Sequence, residues 1–204
     1  MVLRRSISTI YGSKTFTVTD EFENEGYREE PLMLLYHINM GYPFLDENTR
    51  LYIPTGKVTA RDKDGEGHEA DYDKMDPPKD NEPEYVFIHD MQSDIEGNTQ
   101  VLVVNEPLGI GLRLSYNMKY LPYFMEWKST ASGDYVIGLE PANSSVYGRP
   151  YHEERGTVHK LAPFAKEKNV HEILRSSTVR KRSGKQSGSF RKYSRNRIKN
   201  KGEI

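Results

Sequence analysis

Two residues in this sequence set an ionisable side chain among apolar neighbours. His37 lies within PLMLLYHINMGYP (31–43), the most apolar run of the chain, and Glu140 ends the apolar stretch YVIGLE. Burying a carboxylate without partners is costly, and burial raises its pKa toward neutrality. A glutamate raised in this way suits a general base, and a histidine that titrates near neutrality suits a general acid. The same placements also fit a hydrogen-bonded packing histidine and a strand terminus before Pro141, and the residue pattern leaves both readings open.

A second polar pair, His89-Asp90, closes the run YVFIHD. Neighbours along a strand point to opposite faces, so only one of the two can face a given cavity. Trp127, the only tryptophan, follows the aromatic-rich LPYFME. It can cover the apolar face of a ring such as a sugar, or simply pack in a core. Arg61-Asp62 opens an acidic stretch and reads as a surface ion pair of small energetic consequence.

Other chemistries lack their residues. The chain has no Cys, which excludes a disulfide framework, Cys-ligated metals and a thiol nucleophile. Its six His (37, 68, 89, 152, 159 and 171) form neither HExxH nor another paired ligand spacing, so no metal is expected. Gly-Ile-Gly at 109–111 lacks the rest of a dinucleotide fingerprint, and neither GxxxxGK[ST] nor GxSxG occurs. No cofactor is expected.

The elements that must position these residues read as strands. Short apolar runs alternate with turn signals at close spacing, which favours an all-β fold over βαβ units. Residues 14–24 place Phe16, Val18 and Phe22 on one face between turns at Gly12-Ser13 and Glu25-Gly26. The run 31–43, taken as one strand, sets Leu32, Leu34, Tyr36 and Ile38 on one face and Met33, Leu35, His37 and Asn39 on the other. Further strands are expected at 50–53, 85–91, 100–105, 111–116 and 135–140, and a long surface loop at 61–83. No segment keeps a 3.6-residue apolar period, and no internal repeat is present. An antiparallel β-sandwich follows.

The net charge of −1 conceals an asymmetry. Residues 175–204 hold eleven Lys/Arg and one acid, whereas residues 1–174 carry 18 bases and 29 acids. The sequence therefore divides into an acidic domain, 1–174, and a basic Ser/Gly/Asn-rich tail, 175–204, with too little apolar surface to offset its ordering entropy. No apolar run approaches the roughly 20 residues that span a bilayer, and the start lacks the apolar core of a signal peptide. A cytoplasmic location and no membrane partner are expected.

Five strings carry a resemblance: PLMLLYHINMGYPFLDE (31–47), YIPTGKVTARD (52–62), VFIHDM (86–91), LPYFMEWK (121–128) and YVIGLEPANSSVYGR (135–149). In this order they resemble the aldose 1-epimerase (galactose mutarotase-like) family, in a branch marked by YHxNxGYP and GLEPAN, over about 3–172. The resemblance implies an antiparallel β-supersandwich with an open carbohydrate site, and a monosaccharide or sugar derivative as partner. It assigns the general acid to His37 and the general base to Glu140, with His89 or Asp90, Arg61, Trp127 and Asn143 as substrate contacts. The chemistry implied is interconversion of sugar anomers by ring opening, without a cofactor.

The family's longer members carry an N-terminal half before the equivalent of Leu3, so this sequence is expected to form the C-terminal part of a larger sandwich. LAPFAKEKNVHEIL resembles the closing strand LxPGE but has Phe-Ala where Gly-Glu is usual. Two alternatives accompany the enzyme reading. One is a non-catalytic sugar-binding remnant, and the other is weak nucleic-acid or polyanion binding through the basic tail.

Overall fold

The computed structural model describes residues 1–177. In chain order the strands are β1 (Val2–Thr9), β2 (Thr15–Glu23), β3 (Glu30–Pro31), β4 (Ile38–Gly41), β5 (Thr49–Tyr52), β6 (Thr55–Ala60), β7 (Tyr85–Met91), β8 (Asn98–Asn105), β9 (Ile110–Asn117), β10 (Tyr123–Ser129) and β11 (Val136–Ala142). Helix α1 (Gly148–Glu154) follows, then β12 (Lys160–Leu161) and β13 (Lys166–Ser177). The basic tail expected from 175 onward falls, beyond Ser177, outside the described residues. No helix among the described residues is long and apolar enough to cross a membrane.

Six strands form one antiparallel sheet in the order β1-β2-β13-β9-β8-β5, and five form another in the order β4-β11-β10-β7-β6. The two sheets pack on each other. Val101, Val103, Leu114 and Ile173 of the first meet Phe124, Ile137 and Leu139 of the second in one buried cluster with Leu45 and Leu51. The alternation of residue type explains the layers. Along β2, Val18, Asp20 and Phe22 point inward while the residues between them are only partly covered. The β1–β2 hairpin turns at Gly12, whose φ of 79° suits a residue without a Cβ.

The expected strands at 50–53, 85–91, 100–105, 111–116 and 135–140 all overlap observed strands, with Ile53 and Tyr135 falling just outside them, and 61–83 is a loop with a single short 3-10 turn at Glu69–Asp71. The run 31–43 is not one strand, which corrects the sequence expectation. Its backbone bonds go to several separate segments: Leu32 N–H to His159 O, Leu34 N–H to the Asn143 side chain, and Tyr36 N–H to Pro141 O. Pro31 ends the two-residue β3 beside β12, and Ile38–Gly41 joins a ladder beside β11. The two-face alternation survives nonetheless, with Leu32, Tyr36 and Met40 buried and Leu35, His37 and Asn39 exposed.

Tyr36 reaches into the interior between the sheets. Its hydroxyl donates to Asp20 Oδ2 at 2.7 Å, and Arg5 grips the same carboxylate through Nε and Nη2, each at 2.7 Å. Burial pushes the Asp20 carboxyl up, but the hydrogen bonds from Arg5 and Tyr36 outweigh it and hold the group below its ordinary value. Asp20→Asn is therefore expected to lower the unfolding free energy by about 2–3 kcal/mol at neutral pH, measured by urea denaturation. A carboxyl with a depressed native pKa contributes stability above its unfolded value near 3.8, and that contribution is lost as the pH falls through the native range. The gap between the native chain and Asp20→Asn should close in acid; a gap that stays constant overturns this role for Asp20.

Candidate functional site

The outward face of the five-stranded sheet follows from its register. Asn39 pairs with Gly138, Gly138 with Trp127, and Trp127 with Val86, forming one row across β4, β11, β10 and β7. The next row on the same face runs Glu140, Met125, Ile88 and Thr59. Because side chains alternate, the residues between these positions, Leu139, Glu126 and Phe87, face the core, as does Phe124 beside Met125. Val86, Met125 and Ala142 form a buried apolar floor on the outward face, with Ile88, Tyr123, Trp127 and Val146 packed against it.

His37 and Glu140 meet at the β4 side of this floor. His37 Nε2 stands 3.0 Å from Glu140 Oε1, and His37 Nδ1 stands 2.6 Å from Asn39 Oδ1. The Trp127 ring meets the imidazole edge-on, with ring centroids 5.4 Å apart. Glu140 is 4% exposed, as its apolar strand predicts. Burial pushes its carboxyl up from the ordinary value, against smaller opposing pulls from the charges of His37 and Arg61. His37 departs from the expected burial: its side chain is 42% exposed. It directly precedes β4, an edge strand of the five-stranded sheet, and so lies at the rim rather than inside.

The remaining sequence candidates divide. Arg61 lies beside Val86, whose carbonyl accepts its backbone N–H at 2.8 Å, and its guanidinium donates to Asp62 Oδ2 at 2.7 Å. Its charge is felt at Glu140, so it belongs to the same electrostatic neighbourhood. Asp90 alternates with His89 on β7 and is exposed, on the same face as Ile88. His89 faces the other way. Its side chain is wholly buried 3.3 Å from Glu126, between Tyr72 and Phe124, and the sheet separates it from Glu140. Asn143 is buried with its amide engaged: Oδ1 accepts from Leu34 N–H at 2.6 Å and Nδ2 donates to Leu32 O at 2.7 Å. It holds the segment leading to His37 rather than offering free polar atoms.

Two site residues were not singled out from the sequence, Asn39 and Gly138. A Cβ on Gly138 would lie 2.8 Å from His37 Cε1, so the absence of a side chain there gives the imidazole its seat. Each lies two positions from a candidate, Asn39 from His37 and Gly138 from Glu140, and the period-two rule for strands is the signal that identifies them. No group of three or more His, Asp or Glu able to hold a metal ion occurs among the described residues.

The comparisons with known proteins agree with this architecture. A family described as a domain of unknown function, DUF4432, matches residues 1–173. A crystal structure from Klebsiella pneumoniae, provisionally described as an aldose 1-epimerase, superposes with a TM-score of 0.82 at 22% identity, covering 86% of this chain and 46% of that one. A galactose mutarotase related enzyme from Lactobacillus acidophilus gives 0.62 at 10% identity, covering 88% and 62%. A galactose mutarotase-like protein from Clostridium acetobutylicum gives 0.54 at 16%, covering 81% and 53%. At these identities the likeness is one of fold, and the chain spans less than half the length of the Klebsiella protein. No curated protein matches. The chain has a galactose mutarotase-like β-sandwich fold and belongs to the DUF4432 family.

Proposed function

We propose that the protein interconverts the anomers of a sugar by acid–base ring opening, with Glu140 as general base and His37 as general acid. The observation that carries this reading is the 3.0 Å approach of His37 Nε2 to Glu140 Oε1 on an outward sheet face. The two oxygens that exchange protons in mutarotation, the anomeric hydroxyl and the ring oxygen, are bonded to the same carbon. An acid and a base serving them must therefore be close neighbours, as these two are.

Glu140 takes the proton of the anomeric hydroxyl while His37 protonates the ring oxygen, and the C1–ring oxygen bond breaks to give the aldehyde. Rotation about C1–C2 followed by reclosure gives the other anomer, and both protons return. A carboxyl raised by burial is a stronger base at neutral pH than a solvated one. Trp127 offers a half-buried aromatic surface beside the pair, and Asp90 and Arg61 are the polar contacts proposed for the sugar hydroxyls. The amide of Asn143 and the imidazole of His89 are engaged or enclosed elsewhere and are not assigned a contact.

Polarimetry on freshly dissolved α-D-glucose and α-D-galactose tests the reading. The folded chain should accelerate the approach to equilibrium, and His37→Ala or Glu140→Gln should each reduce the rate by roughly 100-fold or more. No acceleration over buffer overturns catalysis; sugar binding that persists without it identifies a binding protein. Undiminished rates in either variant overturn the residue roles.

The same carboxylate predicts a stability effect. A group whose native pKa is raised holds its proton to higher pH than the unfolded chain does. Its contribution is present below the ordinary value near 4.5 and is lost as the pH rises through the native range. Gln at 140 carries no such cost. Melting temperatures of the native chain and Glu140→Gln should coincide in acid and diverge above it, with the variant higher by a few degrees at neutral pH. A variant that is equally or less stable at neutral pH contradicts the burial cost assigned to Glu140.

A further inference from the structure

The two nitrogens of the His37 ring have different neighbours. Nε2 faces Glu140 Oε1 at 3.0 Å, and Nδ1 faces Asn39 Oδ1 at 2.6 Å. In a neutral imidazole one nitrogen carries hydrogen and the other accepts, and the partner of one decides the role of the other. An amide oxygen only accepts, so it requires the hydrogen on Nδ1. That leaves Nε2 as the nitrogen that gains and loses a proton, which it shares at 3.0 Å with Glu140 Oε1: the carboxyl carries the proton whenever Nε2 is bare.

The backbone holds Asn39 where it can do this. Asn39 lies within β4 and pairs with Gly138 across the ladder to β11. A Cβ on Gly138 would stand 2.8 Å from His37 Cε1 and 3.2 Å from both Asn39 Oδ1 and Glu140 Oε1. Imidazole, amide and carboxylate thus converge over the one residue of β11 that has no side chain. The Trp127 ring borders the same imidazole.

We propose that Asn39 is a positioning residue, which accepts the Nδ1 hydrogen of His37 and thereby fixes Nε2 as the atom that delivers the proton, on a seat kept open by Gly138. Its catalytic consequence rests on the ring-opening reading, whereas the tautomer does not. In the reaction the proton leaving Nε2 passes to the ring oxygen and the proton reaching Glu140 comes from the anomeric hydroxyl. Asn39 neither gains nor loses one.

Long-range proton–nitrogen NMR on the 15N-labelled full chain reads the tautomer directly. Neutral His37 should show hydrogen on Nδ1 and a bare Nε2. Asn39→Leu should abolish that preference and lower kcat roughly 10- to 100-fold with little change in KM. Asn39→Asp keeps an acceptor on Nδ1, so it should retain the tautomer. Its carboxylate favours the ring cation, which should move the pH–rate profile upward by about one unit. Gly138→Ala, folded by circular dichroism, should lose the tautomer preference by displacing the ring.

Hydrogen on Nε2 instead of Nδ1 in neutral His37 of the native chain, or an unchanged tautomer in Asn39→Leu, overturns the assignment. The expected tautomers without any mutarotation support the Asn39 assignment while removing the ring-opening reading. Mutarotation by a chain whose neutral His37 carries its hydrogen on Nε2 does the reverse.

Discussion

Burying the Glu140 carboxylate sets the terms on which the outward sheet face is built. At 4% exposure the ionised group loses most of its hydration, and its position in the middle of a strand leaves it few ways out. The neighbours meet this demand in part. The imidazole of His37 supplies a partner at 3.0 Å, and the Arg61 charge adds a weaker pull. The floor of Val86, Met125 and Ala142 supplies none. Burial remains the dominant influence, and the carboxyl stays above its ordinary value. A site that stabilised the carboxylate fully would weaken it as a base, so incomplete compensation fits a group that must accept a proton.

The rigidity of the pair is supplied from the opposite side of the chain. Tyr36 and His37 are adjacent and point to opposite faces, so what fixes one limits the other. The Tyr36 hydroxyl is anchored on Asp20, which Arg5 of β1 also holds, and its backbone N–H is tied to Pro141, next to Glu140. Asn143, just past the end of β11, clamps the backbone at Leu32 and Leu34. A segment with almost no regular ladder is thus held at four successive even-numbered positions, 32, 34, 36 and 38, the last by pairing with Leu139. Side-chain anchors do here what a strand ladder does elsewhere, and they fix the approach of His37 to Glu140.

Much of this was legible in the sequence, for reasons that differ between elements. Strands with alternating or continuous apolar residues, such as β7 and β8, announce themselves through burial. The strands β1, β6 and β13 are rich in charged and hydroxyl residues, and their ladders rather than their hydrophobicity make them strands. The seven residues of α1 span too few turns to show a period. At the site, His37, Glu140 and Trp127 do come together. The exposure of His37 was not legible, because an apolar run does not reveal that its residue sits at the rim of a sheet. Nor was the engagement of Asn143, since the carbonyl and N–H it bonds are more than 100 positions away.

Two of the histidine–glutamate contacts among the described residues are of nearly equal length, and their contrast shows what makes a site. His89 and Glu126 approach to 3.3 Å on β7 and β10, yet both side chains are fully enclosed by the core that Phe124 and Tyr72 share with them. His37 and Glu140 approach to 3.0 Å with the glutamate buried and the histidine 42% exposed. Residue type and distance are almost the same in the two pairs. The difference is one strand register: Ile88 and Asp90 face outward with Glu140, so His89 between them must face inward. Of these two, the outward pair alone combines a desolvated base with an acid that solvent, and hence a substrate, can reach.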